Sequence, residues 1–295
     1  MANDVLPASS SIDHERARTS SQPSAFWFDD GSIIIAVARE RFRLHKSLLS
    51  RHSSIFESLP VSQSTRAETR DPPTVEISEG LATPRDFTAL LEHLYHDVPI
   101  DSAPLSAVSS LLRVTSDKSL RFPTIHILAR ERFRMLLEPE PGIVNFITPE
   151  NPEEALGLAV EHDIPSVRKA LYYSVATTSH FEPDSTHPSL PRSVTDRCAV
   201  LQEHLITHFT PILFTVATAG HMTCTDVFAE AWMPDVISPA LMDNGLCRPI
   251  ETLRKIQAVR WEDRGVCKEC CAAKREEWDE EIRNVWEKVD EWVGI

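Results

Sequence analysis

The stretch from Asp30 to Leu44 leaves this chain the least freedom. Ile33, Ile34, Ile35 and Val37 form a dense β-branched run, stiff at χ1 and suited to a buried strand. Asp30-Gly31 ahead of it is a turn signal, and Arg39-Glu40 behind it is a polar turn. Arg41-Phe42-Arg43-Leu44 then alternates polar and apolar, as a half-buried return strand does. A lone hairpin is marginal in water, so the segments that follow must supply its cover.

Those segments carry helical spacing. Leu48 and Leu49, then Ile55, Phe56 and Leu59, predict two short helices with Ser53 as the N-cap between them. Pro60 to Pro73 reads as a polar loop, and Thr74-Val75-Glu76-Ile77 as a third short strand. Thr83-Pro84-Arg85-Asp86 opens a longer helix: the threonine caps, proline suits the first helical position, and the carboxylate favours the positive helix end. Phe87, Leu90, Leu91, Leu94 and Tyr95 share one face. The pattern recurs at Leu105, Val108, Leu111 and Leu112, and again at Ile125, Leu128, Ala129, Phe133 and Leu136. Residues 1–24 are Ser-rich and apolar-poor, and are expected to be a disordered leader, because they bury too little surface to offset chain entropy.

A Pro-rich break, Glu138 to Pro149, precedes a second helix pair that begins at Asn151-Pro152-Glu153-Glu154. Val167, Ala170, Leu171 and Val175 line its second member. Residues 138–180 thus read as a helical extension, 181–192 as a loop, and 193–295 as a helical C-terminal region. Val194, Cys198, Leu201, Leu205 and Phe209 form one stripe there; Trp278, Ile282, Val285, Val289 and Trp292 form another on a charged final helix. Five of the six Trp lie between Trp232 and Trp292, as an aromatic core or a partner groove. The expected fold class is α+β: a small mixed sheet flanked by helices, followed by an all-α region.

The order of elements over residues 25–137 resembles the BTB/POZ domain. The resemblance rests on Asp30-Gly31-Ser32-Ile33-Ile34-Ile35, Phe42-Arg43-Leu44-His45-Lys46, Leu48-Leu49, Ser53-Ser54-Ile55-Phe56, Val75-Glu76-Ile77 and the spaced Phe87, Leu90, Leu91, Leu94 and Tyr95. It departs at Lys118-Ser119, where the family often carries Lys-Tyr. The remainder resembles a helical extension of fungal BTB proteins, especially those of mushrooms, which tends to end in a Cys-x-x-Cys and a Trp-rich helix. The resemblance implies protein association without catalysis: a scaffold or oligomerisation module, or alternatively a substrate adaptor of a cullin-type ubiquitin ligase. Family members commonly form homodimers, often through an extra N-terminal helix and strand that the polar leader does not display.

Composition narrows the chemistry. Only eight Gly are present, and Gly-x-Ser-x-Gly, P-loop and Gly-x-Gly-x-x-Gly motifs are absent. A net charge of -14 opposes non-specific binding to nucleic acid or anionic membrane. The start carries no secretory pattern and Ile212 to Ala219 is too short to span a bilayer, so an intracellular chain is expected. His45 reads as a packed residue tying a strand end to a helix start, since no motif partner for chemistry adjoins it. His204 and His208 lie four apart, but Leu205 stands where a zinc protease needs Glu. The one chemically rich feature is the cysteine cluster. Cys267 and Cys270 have ligand spacing with Cys271 adjacent, and His221 and Cys224 repeat that spacing about forty residues upstream. Together Cys267, Cys270, Cys224 and His221 can hold a structural Zn²⁺ that pins the final helix; equally, the thiols at one helix start read as buried hydrophobes.

Overall fold

The computed structural model describes residues 23–58, 72–95, 98–140, 144–178, 181 and 190–295. The expected disordered leader (apart from its last two residues) and most of the two expected loops lie outside them.

The hairpin forms where the β-branched run predicts it. Strands β2 (Ile33–Val37) and β3 (Glu40–Leu44) pair antiparallel, with Ile33 opposite Leu44 and Ile35 opposite Phe42. The turn is Ala38-Arg39 rather than Arg39-Glu40, and Ala38 takes the left-handed conformation at φ 51°. Gly31 is required by space: a Cβ there would sit 2.8 Å from Arg43 Cγ and 2.9 Å from its carbonyl carbon. Strand β4 (Thr74–Ile77) joins β2 in parallel. A strand not read from the sequence, β1 (Pro23–Trp27), joins β3 in parallel, giving the order β1-β3-β2-β4.

Helices cover this mixed sheet. The two short helices are α1 (Lys46–His52) and α2 (Ser54–Ser58). Ser53 does not cap α2: its hydroxyl donates to the Leu120 carbonyl at 2.6 Å, tying the helical corner to a distant loop. Helix α3 (Pro84–Leu94) starts as expected, with Thr83 Oγ1 accepting the Asp86 N–H at 3.2 Å. It packs against α4 (Leu105–Thr115), which packs against α5 (Pro123–Leu137). The buried stripe of α5 is Ile125, Ala129, Phe133 and Leu137, whereas Leu128 is exposed. Phe42 and Phe87 meet edge-on at 5.1 Å in the middle of this unit, both fully buried.

The remainder is helical: α6 (Pro152–Glu161), α7 (Pro165–Ala176), α8 (Arg192–Phe214), α9 (Met222–Trp232), α10 (Ser238–Met242), α11 (Pro249–Ala258), α12 (Trp261–Arg264) and α13 (Lys268–Val293). A π-helical turn, Met233–Ile237, joins α9 to α10. The fold is α+β with an all-α C-terminal part. Trp232, Trp261 and Trp278 are core rather than groove, packed edge-on or tilted around Phe228. Two of the indoles are paired: Trp232 donates to the Leu213 carbonyl at 2.9 Å and Trp261 to that of Ile256 at 3.0 Å.

The seam between the two parts is polar as well as apolar. Arg113 of α4 holds the buried Asp86 carboxylate at 2.7 Å and also pairs with Glu154 of α6. Burial pushes the Asp86 carboxyl up, but the Arg113 hydrogen bonds outweigh it and hold the group below its ordinary value. Farther along, Tyr173 of α7 donates to Glu251 at 2.8 Å and accepts the Ile250 N–H at 3.3 Å, fastening α11. Lys169 reaches Asp290 at 2.6 Å and lies over the Trp286 ring, which stacks on Phe146.

Candidate metal centre and partner surface

Two helix starts build the cysteine cluster in the same way. His221 is the N-cap of α9 and Cys224 its third residue; Cys267 is the N-cap of α13 and Cys270 its third residue. Cap and third positions face each other across the first helical turn, which is why a spacing of three brings each pair together. The two helix starts then meet. His221 Nε2 lies 3.3 Å from Cys267 Sγ, 3.6 Å from Cys224 Sγ and 3.6 Å from Cys270 Sγ. All four ligand atoms fall within 4.8 Å of one another.

Backbone N–H groups surround the sulfurs. Cys224 Sγ accepts from the Cys267 N–H at 3.3 Å, and Cys267 Sγ from the Cys270 N–H at 3.5 Å. The N–H of Cys270, then the His221 ring, bring the Cys267 thiol down to about 7. Burial pushes the Cys270 thiol up. Cys271, next in sequence, behaves differently: it is buried, lies 3.7 Å from the Val266 carbonyl, and is pushed up to about 11 by burial.

The other candidate residues are placed apart from this cluster. His45 is half-buried, not core. Its Nε2 lies 3.1 Å from Asp30 Oδ1 and its Nδ1 3.0 Å from the Tyr95 hydroxyl, so an acid does adjoin it although no sequence motif announces one. The ring fastens the end of β3 and the start of α1 to the end of α3, with Phe28 stacked on Tyr95 at 4.6 Å. His204 stacks on Trp292, and His208 meets Glu281 at 2.7 Å, so both dock α8 on α13.

A second feature lies on the N-terminal unit. Ile127, Leu128 and Met135 are exposed on the side of α5 opposite its buried stripe, flanked by Glu131, Arg134 and Glu138. Single exposed apolar residues are ordinary, but three large ones on one helix side make a patch.

Residues 30–134 match the BTB/POZ domain family. This is a protein–protein interaction module, and the match covers β2 through nearly all of α5. Ile127 and Leu128 therefore lie within the matched region, Met135 just past its end, and the cysteine cluster well outside it. No curated protein matches the chain. Among the described residues, no helix is long and apolar enough to cross a membrane.

Sequence reasoning missed β1, the acid beside His45, and the exposed side of α5. The last was hidden because both sides of α5 carry large apolar residues, so periodicity alone does not choose between them.

Proposed function

We propose that this chain is a non-enzymatic interaction protein that holds a protein partner through its BTB/POZ region. The match over residues 30–134 carries this reading. The exposed Ile127, Leu128 and Met135 supply a surface on which a partner gains apolar burial, at roughly 25 cal/mol per Å². The rim of Glu131 and Arg134 adds orientation more than affinity. The helical remainder presents the partner-bound unit to a second protein, as a scaffold does; in the adaptor alternative that second protein is the substrate of a cullin-type ligase.

The test is quantitative affinity purification from the native organism, comparing wild type with the double variant Ile127→Glu, Met135→Glu. The reading predicts a defined set of proteins lost from the variant, whose circular dichroism and melting stay unchanged. A cullin in the lost set selects the adaptor role; its absence among the lost partners selects the scaffold. A variant that keeps every wild-type partner contradicts the proposed surface. Light scattering on the 33.2 kDa chain shows whether one partner is a second copy.

A further inference from the structure

We propose that His221, Cys224, Cys267 and Cys270 bind one Zn²⁺ as a closed Cys₃His centre that clamps the start of α9 to the start of α13. The distances carry the case. Zinc binds thiolate sulfur at about 2.3 Å and imidazole nitrogen at about 2.0–2.1 Å in a tetrahedron, which sets sulfur–nitrogen edges of about 3.6 Å. The three observed edges are 3.3, 3.6 and 3.6 Å. The thiols thus stand around His221 Nε2 at the spacing of a ligand shell.

Hydrogen bonding alone does not account for that arrangement. A neutral ring nitrogen has one in-plane lone pair and accepts one S–H well, yet three sulfurs converge on it. Nor do the thiols behave as plain hydrophobes. Cys198 and Cys271 show what a buried packing cysteine looks like here: each sits in the core away from the convergence. A redox pair made of Cys267 and Cys270 alone leaves the approach of His221 and Cys224 without purpose. The backbone N–H groups on Cys224 Sγ and Cys267 Sγ are the outer support that ligating thiolates need. Three soft sulfurs and one imidazole select zinc over the harder divalent cations, and four protein ligands leave no open position. The role is structural.

The protein is to be produced without a His tag, purified under reducing conditions, and assayed for metal by plasma mass spectrometry. One zinc per chain is expected. Apoprotein titrated with Co²⁺ should saturate at one equivalent, show the intense visible bands of a tetrahedral site with thiolate charge transfer, and lose them when Zn²⁺ is added. Cys224→Ser and Cys267→Ser should each weaken metal binding more than about 100-fold, beyond what loss of an outer-shell partner causes. Cys247→Ser, outside the cluster, should leave binding unchanged. Wild-type protein with neither stoichiometric zinc nor the tetrahedral Co²⁺ spectrum overturns the proposal. So does a Cys267–Cys270 disulfide in metal-free, freshly purified protein, or full binding retained by either of the Cys224→Ser and Cys267→Ser variants. The wild-type Co²⁺ titration decides even where the serine variants fail to fold.

Discussion

Around β2 and β3 the core consists of Ile33, Ile35, Val37, Phe42 and Leu44 under Phe87 and Leu90. Between α9, α11, α12 and α13 it consists of Phe228, Trp232, Trp261 and Trp278. Both sets of side chains are buried, but the chain is tied across them differently. In the N-terminal unit, segments far apart in sequence are joined by strand pairing: β1 to β3, β2 to β4. Among the described residues of the C-terminal part no strand pairing joins distant segments, and the helices bond their backbones mainly within themselves. Side chains must do that, through large aromatic contacts and the proposed metal centre at the two helix starts. A region without a sheet needs its cross-links from side chains.

The largest effect should follow removal of the metal. Structural zinc sites in small modules contribute on the order of 10 kcal/mol. Chelation of this protein should cost a large part of that, and the loss should fall on the C-terminal part. Tryptophan emission reports it in urea unfolding, because five of the six Trp lie there. Phe42→Ala should cost about 3–5 kcal/mol by cavity formation in the other core, with zinc content unchanged. Equal loss of zinc in that variant breaks the division.

The seam between the parts should respond to pH. His162, which caps the end of α6, is buried with its Nε2 unpartnered and lies 5.0 Å from the His126 ring of α5. Burial, then the neighbouring His126, pull the His162 imidazole down to about 4. The folded group thus binds a proton less readily than the unfolded one. Its stabilising share is complete above about pH 6.5 and lost as pH falls toward 4, by about 3 kcal/mol. His162→Leu should flatten the stability profile over that window; an unchanged slope contradicts the assignment. Smallest, Tyr173→Phe leaves Glu251 and the Ile250 N–H without their hydroxyl partner and should cost about 1–2 kcal/mol in denaturant unfolding.

Much of this is legible in the sequence. The β-branched run specifies β2 because χ1 stiffness and burial act locally, and Thr83-Pro84-x-Asp86 specifies the start of α3 by capping chemistry within one turn. The two pairs, His221 with Cys224 and Cys267 with Cys270, were legible from spacing, since cap and third positions share the first helical turn; the approach of one pair to the other is tertiary. What periodicity does not carry is choice among distant partners. Strand β1 is five residues long and exists through its pairing with β3. The Ser53 hydroxyl, expected to serve its own helix start, donates to the distant Leu120 carbonyl. Which side of α5 is buried was decided by packing on α4, not by its own sequence.

Hydrogen exchange read along the chain, with and without a zinc chelator under reducing conditions, tests the contrast between the two parts most directly. The account predicts that α9 and α13 lose amide protection on chelation while β2, β3 and α3 keep theirs. Protection unchanged in α9 and α13, or lost equally from β2 and β3, contradicts it.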